Sequence, residues 1–201
     1  VTGVVVNVNS GLTGTGVWLS ESPNGTVDGV SATVTSALDA YGVRVVTSTA
    51  ATIKNSSLEV HAGQNGFGVA LRGSPGSTVQ ANTISVDAGA SGVGISVTNS
   101  EGTTIKDNGG VSIAGTGPVE GIGVVAKGRA MGALFNNSPN SFLINSFFDV
   151  FTELSSAVGV QVLTSTGVTI KDVNAKVNGR EHADGFTLQG SGGGSMVSSF
   201  F

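Results

Sequence analysis

The residues best suited to hold a ligand are a thin scatter of cations, amides and one tryptophan. They recur at matched distances behind a glycine. Trp18, Arg44, Ser96 and Gln161 stand two residues after Gly16, Gly42, Gly94 and Gly159. Arg72, Thr98, Lys127 and Gln189 stand four after Gly68, Gly94, Gly123 and Gly185, with Arg129 close behind Lys127. On an extended chain, positions two and four after the glycine share one side, and positions one and three share the other. A cationic strip of this kind suits an anionic polysaccharide, and the Trp18 indole can stack on a sugar ring. Scattered cations on a wet sheet also serve simply to keep it soluble. Both readings stand, and the candidate groove is Trp18, Arg44, Arg72, Lys127, Arg129, Gln161 and Gln189.

Catalysis is less well provided for. Acid–base or calcium chemistry needs carboxylates that converge, and Asp39, Glu101 and Glu120 are dispersed along the chain. The densest charged stretch is Arg180-Glu181-His182-Ala183-Asp184. Neighbours in one turn seldom aim at one atom, so a solvated corner is expected there, and His61 is expected to be an isolated surface residue. With no cysteine, Cys-ligated metals are excluded. None of the glycines forms a phosphate loop leading into a helix. No catalytic residue, metal or cofactor is expected. Nine basic against 13 acidic residues give a net charge of −4, which disfavours a nucleic-acid partner. Apolar residues make up 39%, too many for a disordered tail, yet no run reaches the ~18 residues of a membrane-spanning helix.

The elements that must position these residues are written in the repeat. Gly16, Gly42, Gly68 and Gly94 are each 26 residues apart, and each opens an alternating apolar run such as Gly42-Val43-Arg44-Val45. By the same local pattern Gly123, Gly159 and Gly185 are expected to resume it, in steps of 29, 36 and 26. A second apolar position follows eleven residues after the glycine, at Val27, Ile53, Val79, Ile105, Ile170 and Met196. A third stretch ends at Val34, Val60, Val86 and Val177, with Ile113 one place late. Period-two alternation of β-branched residues, with Gly, Ser and Asn between runs, reads as three short strands per coil separated by tight turns. Stacked in register, such coils make an all-β parallel β-helix of about seven coils, and the bias of parallel crossovers predicts a right-handed one. Thr26, Thr52, Thr78, Thr104 and Thr169 form an outward column with Lys54, Lys106 and Lys171 two places on, a solvated face.

The segments TIKNSSLEV (52–60), TVQANTISV (78–86), TIKDNGGVSI (104–113) and TIKDVNAKV (169–177) carry a resemblance. The chain resembles the right-handed parallel β-helix repeat proteins, a pectate-lyase-like superfamily of pectin-degrading enzymes, phage tailspikes and autotransporter passengers. That resemblance implies a saccharide groove on the first-strand face. It also implies what an enzyme of the group would carry. The hydrolase signatures, an Asn-Thr-Asp triplet, an Asp-Asp pair and a Gly-His-Gly triplet, are missing. A lyase would need a base, for which Arg72, Lys127 or Arg129 would serve, beside a calcium-binding acid cluster.

One β-helix domain over residues 1–201 is expected, beginning and ending in mid-coil as a segment of a longer solenoid. The step of 36 places an insertion within 127–140, built for binding or merely tolerated, and Phe142, Phe147, Phe148 and Phe151 are expected to fill the core beside it. The function expected is a non-catalytic structural or adhesive module of an extracellular or surface-displayed fibre, passenger or spike. It would associate with copies of itself or with neighbouring coils. The alternative is a carbohydrate-binding or polysaccharide-degrading β-helix using the first-strand groove.

Overall fold

A computed structural model describes residues 1–109 and 122–199. The chain winds through seven coils of three strands, and equivalent strands stack into three parallel seven-stranded sheets. The first sheet carries the long strands: Gly14–Ser20, Ala40–Val46, Asn65–Arg72, Ser91–Thr98, Arg129–Asn136, Ser156–Leu163 and His182–Gln189. The second has three-residue strands such as Thr52–Lys54, and the third has strands such as Ser57–Ala62.

Register follows the repeat. Val17 pairs with Val43, Val43 with Val69, and Val69 with Ile95. Like residues therefore stack along the axis at about 4.8 Å. Inward columns from the three sheets merge into one apolar core, with Ile53, Leu58, Leu71, Ile84, Ile95 and Ile105 almost wholly enclosed. No coil could bury these side chains alone, so each coil is stable only against its neighbours.

Two devices turn the corners. Thr47, Gly73, Asn99, Asn137 and Thr164 all take positive φ, between 45° and 58°, at the same place after the first strand. One residue further on, a buried serine column satisfies backbone groups that the turn leaves unpaired. Ser48 Oγ accepts from the Ser22 amide (3.1 Å), Ser74 Oγ from Ser48 (3.1 Å), Ser100 Oγ from Ser74 (2.9 Å) and Ser138 Oγ from Ser100 (3.1 Å). Each hydroxyl then donates to the carbonyl two residues earlier, as Ser48 does to Val46 (2.9 Å). The strand glycines have a different duty. A Cβ on Gly42 would lie 2.7 Å from the Gly68 carbonyl oxygen, so the bend of the first strand admits no side chain.

The register corrects two expectations. Gly123 does not open a first strand: Val124 pairs with Val86 and Val150 in the third sheet. The first-strand glycine of that coil is Gly132, flanked by Met131, which pairs with Val93, and Ala133, which pairs with Ile95. Ile122, Val124 and Ala126 match the apolar columns of Ile84, Val86 and Ala88, and that match decides the placement. Accordingly, 127–140 is no insertion but a corner, the regular strand Arg129–Asn136 and the start of the next turn. Gly92 pairs with Ala130, 38 residues on, so this coil has a surplus of twelve residues. Asn108 still holds its corner place, accepting from the Asn82 amide at 3.1 Å, so the surplus falls between Gly109 and Ile122. Ile113, expected in a third strand, lies outside the described residues.

The phenylalanines also differ from expectation. Of Phe142, Phe147, Phe148 and Phe151, Phe148 alone fills the core, fully buried against Gly132, where a Cβ would meet its ring at 2.6 Å. Phe142 points outward and is 41% exposed, while Phe147 and Phe151 are half-buried.

Candidate functional site: the outer face of the first sheet

Because the first-sheet strands are in register, outward residues also form columns. Trp18, Arg44, Ala70, Ser96, Leu134, Gln161 and Thr187 occupy one of them. Pairing of Trp18 with Arg44 brings the guanidinium to 5.4 Å from the indole centroid. The same guanidinium lies 5.0 Å from the Tyr41 ring, and Tyr41 stacks on Phe67 with centroids 4.9 Å apart and planes 6° from parallel. Trp18, 62% exposed, thus ends a cation–aromatic stack three coils long. Contacts of this kind contribute about 0.5–1 kcal/mol each where water reaches them. Arg72 stands at the end of the neighbouring strand, two columns over and exposed.

Tyr41 and Phe67 fall outside the two-and-four spacing behind the glycines. They belong to a column just before the strand glycines, continued by Val93, Met131 and Val158. This column is apolar in five successive coils, a signal readable in the sequence. Val93, Met131 and Val158 face out of the sheet yet are only 2–5% exposed, packed together as a cluster separate from the core.

The remaining candidates fall into different places. Arg129 opens the fifth first-sheet strand, and its guanidinium donates to Gln161 Oε1 at 2.8 Å. That bond joins a residue three before its glycine to one two after, and so crosses the Met131–Val158 column. Gln189 ends the last first-sheet strand beside Leu163. Lys127 is not on this face: it sits in the corner after the third-sheet strand, beside Thr35, His61 and Asp87. The seven candidates therefore resolve into a Trp18–Arg44 pair with Arg72 nearby, an Arg129–Gln161 pair, and two outliers.

His61 is less isolated than expected, with Nε2 3.1 Å from Glu59 and Nδ1 3.9 Å from Asp87. His182 and Asp184 lie in the last first-sheet strand, exposed. Asp39, two residues before Tyr41 in the chain, accepts a hydrogen bond from the Asn65 side-chain amide at 2.8 Å. Among the described residues no three His, Asp or Glu side chains are placed to hold a metal ion. No helix there is long and apolar enough to cross a membrane.

Residues 2–117, more than half of the chain, match the family model of the right-handed β-helix region. The chain is a member of the right-handed β-helix family. The parallel three-sheet stacking is the architecture that membership requires. No curated protein matches the sequence of this β-helix. Its fold alone assigns no activity, since one scaffold serves many sites.

Proposed function

We propose that this β-helix is a non-catalytic adhesive module of an extracellular or surface-displayed protein, and that it holds an anionic polysaccharide on the outer face of its first sheet. The observation that carries the reading is the stack of Trp18, Arg44, Tyr41 and Phe67. An exposed indole backed by a guanidinium offers an apolar ring face beside a fixed positive charge. Arg72 adds a second cation within reach of the same strand ends. A uronate presents the complementary pair: a ring face of C–H bonds and a carboxylate.

The Arg44 guanidinium lies between two rings, which hold it in place before a ligand arrives and so reduce the ordering cost of binding. Arg129 is engaged by Gln161 and serves the sheet rather than the ligand. Lys127 faces another corner and has no part in the groove.

Retention on immobilised oligogalacturonate and oligoalginate tests this reading. The double variant Trp18→Ala, Arg44→Ala is expected to elute unretained, with salt eluting the wild type in proportion to its ionic contacts. Lys127→Ala is expected to behave as wild type. Equal retention of the double variant and the wild type would remove the proposed groove.

A further inference from the structure

The outer face of the second sheet is polar through its first four coils. Thr52, Thr78 and Thr104 stack as one column and Lys54, Gln80 and Lys106 as the other. In the fifth coil the columns change to Phe142 and Ile144, which pair with Thr104 and Lys106 below and with Thr169 and Lys171 above. Nothing in the core asks for this change, because the inward residue between them, Leu143, keeps the column of Ile105 and Ile170. Phe142 is left 41% exposed.

The two apolar side chains, about 6.8 Å apart along the strand, are framed on every side by hydrogen-bonding groups. Thr104 and Thr169 flank Phe142, and Lys106 and Lys171 flank Ile144, one coil away at about 4.8 Å. Asn140 and Asn145 stand at the two ends of the strand. Their amides donate to Glu101 (3.0 Å) and to Asp107 (2.9 Å), which fixes each Oδ1 as an acceptor. The frame is also balanced in charge. Lys171 Nζ lies 3.9 Å from Asp172, and Asp107 follows Lys106 in the chain.

We propose that Phe142 and Ile144 form a second saccharide site, distinct from the first-sheet groove, that takes one neutral pyranose unit of an oligosaccharide. An apolar island of ring width receives the C–H face of the sugar, and the surrounding threonine, lysine and asparagine groups pair with its hydroxyls. The balance of Lys106 and Lys171 against Asp107 and Asp172 removes the advantage a uronate would have. A membrane surface or a second copy of the chain would need a wider apolar area than these two side chains provide.

The test is titration of the full chain with cellohexaose, mannohexaose and xylohexaose, with oligogalacturonate as the charged comparator, read by calorimetry. Phe142→Thr restores the residue its column uses elsewhere, so folding is preserved; an unchanged thermal midpoint checks this. At least one neutral hexaose is expected to bind, and Phe142→Thr to weaken it about tenfold or more, while Trp18→Ala leaves it unchanged. Loss of binding with Trp18→Ala but not with Phe142→Thr would overturn this site and leave the first-sheet groove standing. Failure of all three neutral hexaoses to bind would overturn it, as would sedimentation or vesicle flotation of the wild type that Phe142→Thr abolishes.

Discussion

The two faces of the first sheet are built by different rules. Inward, Val17, Val43, Val69, Ile95 and Val160 repeat nearly the same shape from coil to coil, because each must fill a slot bounded above, below and across the core. Outward, the same strands present Trp18, Arg44, Ala70, Ser96, Leu134 and Gln161 in a single column. Packing fixes the first series and leaves the second free to vary. The outer face is therefore where a solenoid with one fold can acquire a particular ligand, and substitutions on the two faces should fail in different assays.

The sharpest separation comes from the core. Phe148→Ala removes a fully buried ring and opens a cavity beside Gly132, and is expected to cost about 3–5 kcal/mol in a denaturant melt. If the outer stack depends only on its own coils, Trp18 fluorescence in the folded variant remains that of the wild type. A smaller loss is expected from the corner. Ser74→Ala leaves the buried Ser48 amide without its acceptor, which costs about 1–3 kcal/mol. Loss from this substitution as small as that of an exposed serine would mean that the ladder is not a structural element.

The outer face should show the reverse. Trp18→Ala gives up one cation–π contact, worth about 0.5–1 kcal/mol of stability at an exposed site, while retention on oligouronate falls away. A change in melting large enough to explain the lost retention would erase the distinction between the faces.

The smallest effect lies at Asp28. Its carboxyl titrates below the usual aspartate range because it accepts a hydrogen bond from Asn55 (2.9 Å) and lies 3.3 Å from Lys54, with burial opposing them. A depressed folded value means that this contribution is fully present above the ordinary aspartate pKa and is lost as pH falls through the folded one. The melting difference between wild type and Asp28→Asn should therefore shrink on acidification through that window. A difference that grows in acid would contradict the assignment.

Sequence legibility divides along the same faces. The inward columns announce themselves because packing repeats them every 26 residues, and the three strands per coil follow from that alone. The serine column of Ser48, Ser74 and Ser100 was equally periodic but hidden among many corner serines, whose burial only the structure reveals. In the fifth coil Gly123-Val124 carries the local signature of a first strand although it lies in the third sheet. The true one, Gly132-Ala133, has a small inward residue, and Phe148, from the third strand of the same coil, fills the space beside it. Compensation between the first and third strands of a coil leaves no mark in either strand taken alone.

On the outer face, Trp18 and Arg44 were legible by type and spacing, whereas their closure into a stack required Tyr41, from a column on the other side of the strand glycine. The glycine bend brings the two columns together, and a period-two reading cannot show it. Lys127 shares the groove spacing only if Gly123 opens a first strand, which it does not.

The most direct test is an amide chemical-shift titration of the labelled protein with oligogalacturonate. The account predicts saturable shifts centred on Trp18, Tyr41, Arg44, Phe67 and Arg72, absent in the Trp18→Ala, Arg44→Ala variant at an unchanged fold. Shifts centred on Lys127 and His61, or no shifts at any concentration that keeps the protein monodisperse, would contradict it.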